Sequence, residues 1–221
     1  MKRILLILVL VFSAVWGEDS KDSQWRGFFG IEAGVGMIRL FHQPIPLPMW
    51  LNLSVLKETP YSWSGNVALV GGWQKYTEEK RGIRNTLGFG FMYFPKDFGI
   101  FEGSFPYKHA DFSNGFGFNI FYIFDGLIDF VKNDSNSFGM IAGTKVGITL
   151  LSVKDFLKSN PSKQEKVVLG SGSVDLRLGL KTQIENNILE LTLEFPIVGI
   201  SVFFDPTVFN HTLTLGYKYL F

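Results

Sequence analysis

The chain has 221 residues, of which 46% are hydrophobic and 16% aromatic, with 23 Phe, 24 Gly and no Cys. This apolar content excludes a disordered chain. The absence of Cys excludes disulfides, a thiol nucleophile and thiolate metal sites. The 21 basic and 20 acidic residues leave a formal net charge of +1, which argues against a nucleic-acid-binding protein, because such proteins carry a basic surplus. Many aromatics and glycines with little charge are typical of a protein that folds in an apolar solvent.

The N-terminus has the pattern of an export signal. The second and third residues are Lys and Arg, residues 4–12 are apolar, and residues 15–17 form an acceptable cleavage site. A membrane-spanning helix needs about 20 apolar residues, so this stretch is too short to span a bilayer. We therefore predict a signal peptide over residues 1–17 and a single mature domain over residues 18–221.

The mature domain is dominated by an alternation of period two. Residues 174–180 and 189–195, for example, place Val, Leu or Phe at every second position, with polar residues or Gly between them. One face of each such segment is apolar and the other is polar or very small, which is the pattern of a β-strand. The alternation predicts eight strands, at about 27–40, 63–75, 83–95, 115–125, 137–151, 172–183, 187–197 and 209–221.

The gaps between the predicted strands alternate in length. Long gaps lie at 41–62, 96–114, 152–171 and 198–208, and shorter ones at 76–82, 126–136 and 184–186. Long loops on one side and short turns on the other are typical of outer-membrane barrels, for which eight is the smallest strand number. The predicted fold class is therefore all-β, a single eight-stranded antiparallel transmembrane β-barrel of the outer membrane, with ten strands as the alternative.

One hairpin can be checked for internal consistency. If residues 186–187 form a two-residue turn, Lys181 faces Thr192, and polar residues meet polar residues along the whole hairpin. Lys181 then lies diagonal to Glu190 and Glu194, within reach of an ion pair. A soluble β-sandwich would also alternate, but it would turn the apolar faces inward and would not need glycines and charges on the other face.

The polar faces of the predicted strands carry enough opposite charges to neutralise one another. Eight strands enclose a lumen that side chains just fill, and buried charges must be paired to be tolerated. We therefore expect an ion network inside the barrel, with inner glycines making room for the long basic side chains. Its predicted members are Glu32, Lys145, Asp175, Arg177, Lys181, Glu190, Glu194 and Lys218.

Several segments carry a further pattern of glycines and aromatics. They are residues 72–76, 80–84, 115–122, 137–143, 189–196 and 217–221. In this order they resemble the conserved barrel region of the Hop and Hor branches of the Helicobacter outer membrane protein family. Asn119 stands where that family commonly has Asp, Thr192 where Gly is usual, and the large adhesion domain of the Hop members has no counterpart. The resemblance implies an outer-membrane barrel of this family, but it does not carry over a receptor.

The end of the chain looks like an insertion signal. Apolar or aromatic residues occupy every second position up to the last: Leu213, Leu215, Tyr217, Tyr219 and Phe221. A terminal aromatic after such a strand resembles the signal that the outer-membrane barrel-insertion machinery reads, so we expect that machinery to be a partner during assembly.

The sequence offers no convincing catalytic, cofactor or metal site. His42, His109 and His211 are irregularly spaced, with no carboxylate at ligand spacing. Ser152 or Ser201 with His211 could form a dyad at the rim of the barrel, but nothing in the sequence places them together. We therefore predict that the protein is not an enzyme.

Two predicted loops are candidates for contacts outside the barrel. Residues 44–50 contain three Pro and a Trp, which suit the membrane interface or a ligand contact. The basic stretch from Lys154 to Lys166 suits the phosphates of lipopolysaccharide. The predicted function is a structural or surface-interaction role in the cell outer membrane, adhesion included, with lipid, lipopolysaccharide and an unidentified surface ligand as partners. A small porin and, less favoured, a lipid-remodelling enzyme are the alternatives.

Overall fold

A computed structural model describes residues 24–41, 61–93, 100–101, 110–133, 136–154, 166–201 and 207–221. All eight predicted strands are present. They are β1 (Arg26–Phe41), β2 (Tyr61–Tyr76), β3 (Arg81–Tyr93), β5 (Ala110–Lys132), β6 (Asn136–Lys154), β7 (Lys166–Ile184), β8 (Asn187–Ser201) and β9 (Thr207–Leu220), with a two-residue strand, β4 (Ile100–Phe101), beside β5. The predicted signal peptide, the loop 44–50, His42 and His109 lie outside the described residues.

The eight long strands form a closed antiparallel barrel. Each pairs with its neighbour in the order β3-β2-β1-β9-β8-β7-β6-β5, and a further pairing of β3 with β5 closes the circle. The short strand β4 pairs only with β5 and lies outside this circle. The predicted strand number of eight is therefore confirmed. Among the described residues, no helix is long and apolar enough to cross a membrane.

The two ends of the barrel differ in the connections they carry. The gaps 77–80, 133–135 and 185–186 join strands at one end, which we call the short-turn rim. Both ends of the barrel chain also lie there, since the Phe221 N–H donates to the Gly27 carbonyl at 3.0 Å. The opposite long-connection rim carries the gaps 42–60, 94–109, 155–165 and 202–206, of which 94–109 includes β4. The asymmetry matches the prediction, although β5, β6, β7 and β8 all extend beyond their predicted bounds.

The β7–β8 turn lies one residue earlier than predicted. Glu185 and Asn186 form the turn, with φ of 54° at Glu185, so that Lys181 faces Glu190 rather than Thr192. The predicted and observed registers differ by two positions on the partner strand. A shift of two keeps every side chain on the same face, so the alternation of polar residues cannot distinguish the two registers.

The outer surface of the barrel is apolar. Leu87, Ile120 and Leu215, on three different strands, are each about three-fifths exposed, at 61%, 60% and 62%. Outward-facing Phe rings of β3 and β5 also stack on one another, Phe89 on Phe118 with centroids 6.1 Å apart. In β8 a β-bulge opposite Val174–Asp175 reverses which alternate residues face outward. This reversal is expected where one extra residue enters a strand. An apolar exterior around a polar interior is the reverse of a soluble sandwich and defines a transmembrane barrel.

Inner glycines let large side chains cross the lumen. A Cβ at Gly88 would overlap the ring of Phe121, its partner across β3 and β5. That ring is buried and packs in a cluster with Val70 and Ile123, so moving it aside would disturb this packing. At Gly65, on the outer face of β2, a Cβ would meet nothing within 4 Å.

We predict that Gly88→Ala destabilises the barrel by about 1–3 kcal/mol, because the added methyl group overpacks the lumen. The matched change Gly65→Ala should alter stability by no more than about 0.5 kcal/mol. Urea unfolding of the refolded protein measures both. Equal effects of the two changes would contradict the inward placement of Gly88.

Candidate functional site: the ion ring of the lumen

Six buried charged residues form a closed ring across the lumen. Acidic and basic side chains alternate around it, and each contacts the next. In order, the members of this ion ring are Arg84 (β3), Asp125 (β5), Arg177 (β7), Glu32 (β1), Lys218 (β9) and Glu190 (β8).

The contacts of the ring have hydrogen-bond geometry. Asp125 Oδ2 accepts from both Arg84 Nη2 and Arg177 Nη1, each at 2.8 Å. Glu32 Oε1 accepts from Arg177 Nη2 and Lys218 Nζ, again each at 2.8 Å. Glu190 closes the ring by accepting from Lys218 Nζ at 2.5 Å and from both terminal nitrogens of Arg84. Every member therefore has two oppositely charged partners.

The ring is neutral and fully enclosed. Arg84, Arg177 and Lys218 have relative exposures of 0%, and the three carboxylates are also buried. Burying a single charge without a partner costs several kcal/mol, whereas a fully hydrogen-bonded set of opposite charges offsets much of that cost. Three positive and three negative charges leave no net charge inside the ring.

The backbone register explains how side chains from distant strands meet. Gly143 of β6 lies between Asp125 and Arg177 in the strand register, and its missing side chain lets the guanidinium reach across to β5. Gly30 and Gly216 play the same part near Lys218: a Cβ on Gly30 would lie 2.7 Å from Lys218 Cγ, and one on Gly216 would lie 3.4 Å from its Nζ. The inner glycines are thus part of the site.

A branch extends from the ring toward the long-connection rim. Glu194 lies 3.3 Å from Arg177 Nε and accepts from Lys145 Nζ at 2.7 Å. The Lys145 ammonium also lies 4.4 Å from the centroid of the Phe121 ring. Asp175 is opposite Lys145 in the β6–β7 register.

A separate cluster lies nearer the short-turn rim. The Lys181 ammonium contacts Asp129 at 2.6 Å, Tyr76 Oη at 2.6 Å and Ser137 Oγ at 3.1 Å. The predicted pairing of Lys181 with Glu190 and Glu194 is therefore wrong. Although Lys181 faces Glu190 in the register, that carboxylate is held by Arg84 and Lys218, and Glu194 is held by Arg177 and Lys145.

The eight predicted network residues all point into the lumen, but sequence reasoning missed three others. Arg84, Asp125 and Asp129 complete the two clusters. Arg84 lies four residues before Gly88 on β3, and both face inward. The alternation along this strand could therefore have identified Arg84 as a lumen residue. Asp129 lies in a part of β5 that the sequence analysis placed in a gap.

Apolar clusters lie on both sides of the ring along the barrel axis. Phe28, Ile188 and Leu220 form a buried cluster toward the short-turn rim. Phe121 and Ile123 belong to a second cluster toward the long-connection rim. On the long-connection side a polar cavity also reaches the ring, since Glu32, Lys145 and Glu194 line it.

The structure does not bring together the predicted alternative sites. Ser152 is on β6 and His211 is on β9, with β7 and β8 between them in the sheet order. The side chain of Ser201 lies outside the described part of the chain. No three His, Asp or Glu side chains of the described residues are arranged to hold a metal ion.

An apolar exterior, a lumen filled by paired charges, and short turns opposed to long connections together define an integral membrane β-barrel of the outer-membrane type. The predicted insertion residues fit this assignment: Leu213, Leu215, Tyr217, Tyr219 and Phe221 all face outward, with exposures from 42% to 73%.

No protein-family model matches the chain, and no curated protein matches it. Solved structures of small barrels do. Neisserial surface protein A is 12% identical, covering 87% of this chain and 97% of that one at a TM-score of 0.45. The N-terminal β-barrel domain of Pseudomonas aeruginosa OprF is 11% identical, and the match covers 90% of this chain and 100% of that one at a TM-score of 0.38.

The attachment invasion locus protein of Yersinia pestis, in complex with the heparin analogue sucrose octasulfate, is 14% identical. The match covers 87% of this chain and 99% of that one, at a TM-score of 0.33. At such identities a likeness concerns the fold alone, and the architecture of this chain is established by its own strand pairing. The resemblance to the Helicobacter family stays a prediction.

We predict that Arg84→Met destabilises the barrel by about 3–5 kcal/mol, because it leaves two buried carboxylates each short of a partner. The control is Arg81→Met on the same strand. Arg81 lies 3.6 Å from Glu78, both are about half exposed, and such pairs contribute about 0–1 kcal/mol. Urea unfolding of the refolded variants should separate them; a similar loss at both positions would refute the ring.

We also predict that Lys181 is energetically coupled to Asp129. In a double-mutant cycle, Lys181→Met and Asp129→Asn should show a coupling energy of about 0.5–3 kcal/mol. The matched cycle of Lys181→Met with Glu194→Gln should show much less, because Glu194 is held by Lys145 and Arg177. A larger coupling energy between Lys181 and Glu194 than between Lys181 and Asp129 would instead support the pairing predicted from the sequence.

Proposed function

We propose that the protein is a non-enzymatic, cofactor-free component of the cell outer membrane, with a structural or surface-interaction role performed by its long connections. The observation that carries this proposal is the ion ring, which fills the lumen with paired side chains. A barrel whose interior is occupied in this way offers its two rims, rather than its lumen, for contacts with other molecules.

The competing function is a small porin. A diffusion pore needs an open water-filled path, and general pores are built from 16–18 strands. Here six of eight strands contribute side chains to one ring, and the three basic members have no exposed surface. The ring therefore favours a closed barrel over a channel.

Lipopolysaccharide is the partner that we propose for the long-connection rim. The register places Lys154 opposite Lys166 at the ends of β6 and β7. Lysines at these strand ends supply the positive charge that attracts phosphate groups. Lys158 and Lys163, in the connection between these strands, add to the basic character of this stretch.

Export and family membership belong to the same proposal. A signal peptide over residues 1–17 would deliver the chain to the barrel-insertion machinery, which would read the alternating terminal strand ending at Phe221. The pattern of glycines and aromatics in the segments between residues 72 and 221 supports membership of the Helicobacter outer membrane protein family.

We predict that residues 18–221, refolded into a planar lipid bilayer, give no large and steady conductance, because the ion ring blocks the lumen. Single-channel recording at several voltages measures this, with protein-free detergent at the same dilution as the control. Reproducible open steps of the size that porins give would overturn the closed-barrel proposal and favour the channel. A silent bilayer from protein whose folded form migrates differently from the boiled form would support it.

A further inference from the structure

Two neighbouring strands of the barrel separate before either of them ends. Toward the long-connection rim, the last pair of the β8–β9 ladder is Glu194 with Thr212. Beyond this pair β8 stays paired with β7, and β9 stays paired with β1. Among the ladders that the structure describes, this is the one in which both strands continue past the last pair. We call the unpaired stretch, residues 195–201 of β8 and 207–211 of β9, the seam.

The sequence of β8 explains why its ladder with β9 stops there. Pro196, the second residue past the last pair, has no N–H to donate. Ile197 has no partner in the β7 register, because it is the extra residue of the bulge opposite Val174–Asp175. A bulge bends its strand and increases its twist, so the strand direction of β8 changes where its pairing with β9 is lost.

A serine side chain bridges the seam where a ladder would otherwise run. Ser171 Oγ, on β7, accepts from the Val208 N–H of β9 at 3.1 Å. The carbonyl oxygens of Val208 and of Ile200, on β8, lie 3.4 and 3.3 Å from the same hydroxyl. A hydroxyl has one hydrogen to donate, so Ser171 can satisfy one of these two carbonyls at a time. The three strands are thus joined here through a single hydroxyl.

A polar cavity of the lumen lies directly behind the seam. Its volume is about 30 Å³, and Ser171, Val208 and Asn210 are among its lining residues, whereas β8 contributes none of the described ones. The contact of β7 with β9 at the Ser171 hydroxyl therefore forms the wall of the cavity on this side. On the outer face of β8, Val198 and Ile200 are exposed to lipid.

We propose that the seam is a lateral gate, which opens when residues 195–201 of β8 move away from β9 and Ser171 releases Val208. Opening connects the cavity with the membrane leaflet at the long-connection rim, the rim that faces outward in barrels of this type. Elsewhere, separating two strands breaks a whole ladder in lipid, where water cannot replace the lost hydrogen bonds. The ion ring lies on the other side of the last ladder pair, so lipid-soluble molecules could enter the cavity while the ring stays closed.

Amide hydrogen exchange along β9 tests the gate, because successive N–H groups of a strand point to opposite neighbours. The Val208 N–H points to the seam, so those of Phe209 and His211 point to β1. In the parent protein in lipid nanodiscs, Val208 should exchange at least about tenfold faster than Phe209 and His211, because gate opening exposes it alone. Equally slow rates at all three would overturn the gate. Equally fast rates would indicate a frayed strand end and would also overturn it.

The change Ser171→Ala removes the side chain that holds the seam. It should accelerate exchange at Val208 by a further factor of about five, which corresponds to the loss of one hydrogen bond, and leave Phe209 unchanged. The matched control is Ser64→Ala, at a serine of β2 that is also buried but whose backbone is paired with β1. Unchanged exchange at Val208 in Ser171→Ala, or the same acceleration in Ser64→Ala, would overturn the proposal.

Access from the membrane is measured with a cysteine placed in the cavity. The chain has no Cys, so Thr149→Cys, at a residue that lines the cavity, supplies a single thiol. In lipid vesicles, lipid-soluble N-cyclohexylmaleimide should modify this thiol about fivefold faster when Ser171→Ala is added, since the gate is then open more often. A charged, membrane-impermeant methanethiosulfonate should show no such acceleration. Equal acceleration of both reagents would indicate entry through the rim, and that result or no acceleration at all would refute the lateral gate.

Discussion

The energetic demand of burying charge in a narrow barrel organises this protein. A lumen enclosed by eight strands has little room for water, so a charged side chain that points inward must find its opposite within it. Arg177 meets this demand by contacting two ring carboxylates, Asp125 and Glu32, as well as Glu194. The positions of the inner glycines follow from the space that such contacts require.

The exterior obeys the opposite demand. Outward-facing Leu, Ile and Phe residues remain largely exposed in the isolated chain because lipid is their solvent. The two demands together produce the alternation along each strand, and the alternation is a local property of the sequence. For this reason the eight strands, their inward faces and the asymmetry of the rims could be predicted from residues alone.

The contacts across the lumen could not be predicted in the same way. Alternation states which face a side chain occupies, but it does not state which strand lies opposite. The β7–β8 register was missed by two positions because both registers join polar faces. Lys181 was assigned to Glu190 and Glu194, its neighbours along the hairpin, whereas Asp129 comes from β5, which is not adjacent to β7 in the sheet. Which side chains meet across the lumen depends on how the whole barrel closes, and the sequence of one hairpin carries no information about that closure.

The circular order of the ion ring has a consequence for how the chain assembles. Lys218 and Glu32 are 186 residues apart in sequence, and Arg84 and Glu190 are 106 apart. Until the last strand joins the first, Glu32 lacks the Lys218 ammonium, so an incomplete barrel contains a carboxylate without this partner. The ring is complete only after the final step of closure. The ring therefore makes closure of the barrel cooperative, and it destabilises barrels in which a strand is missing or out of order.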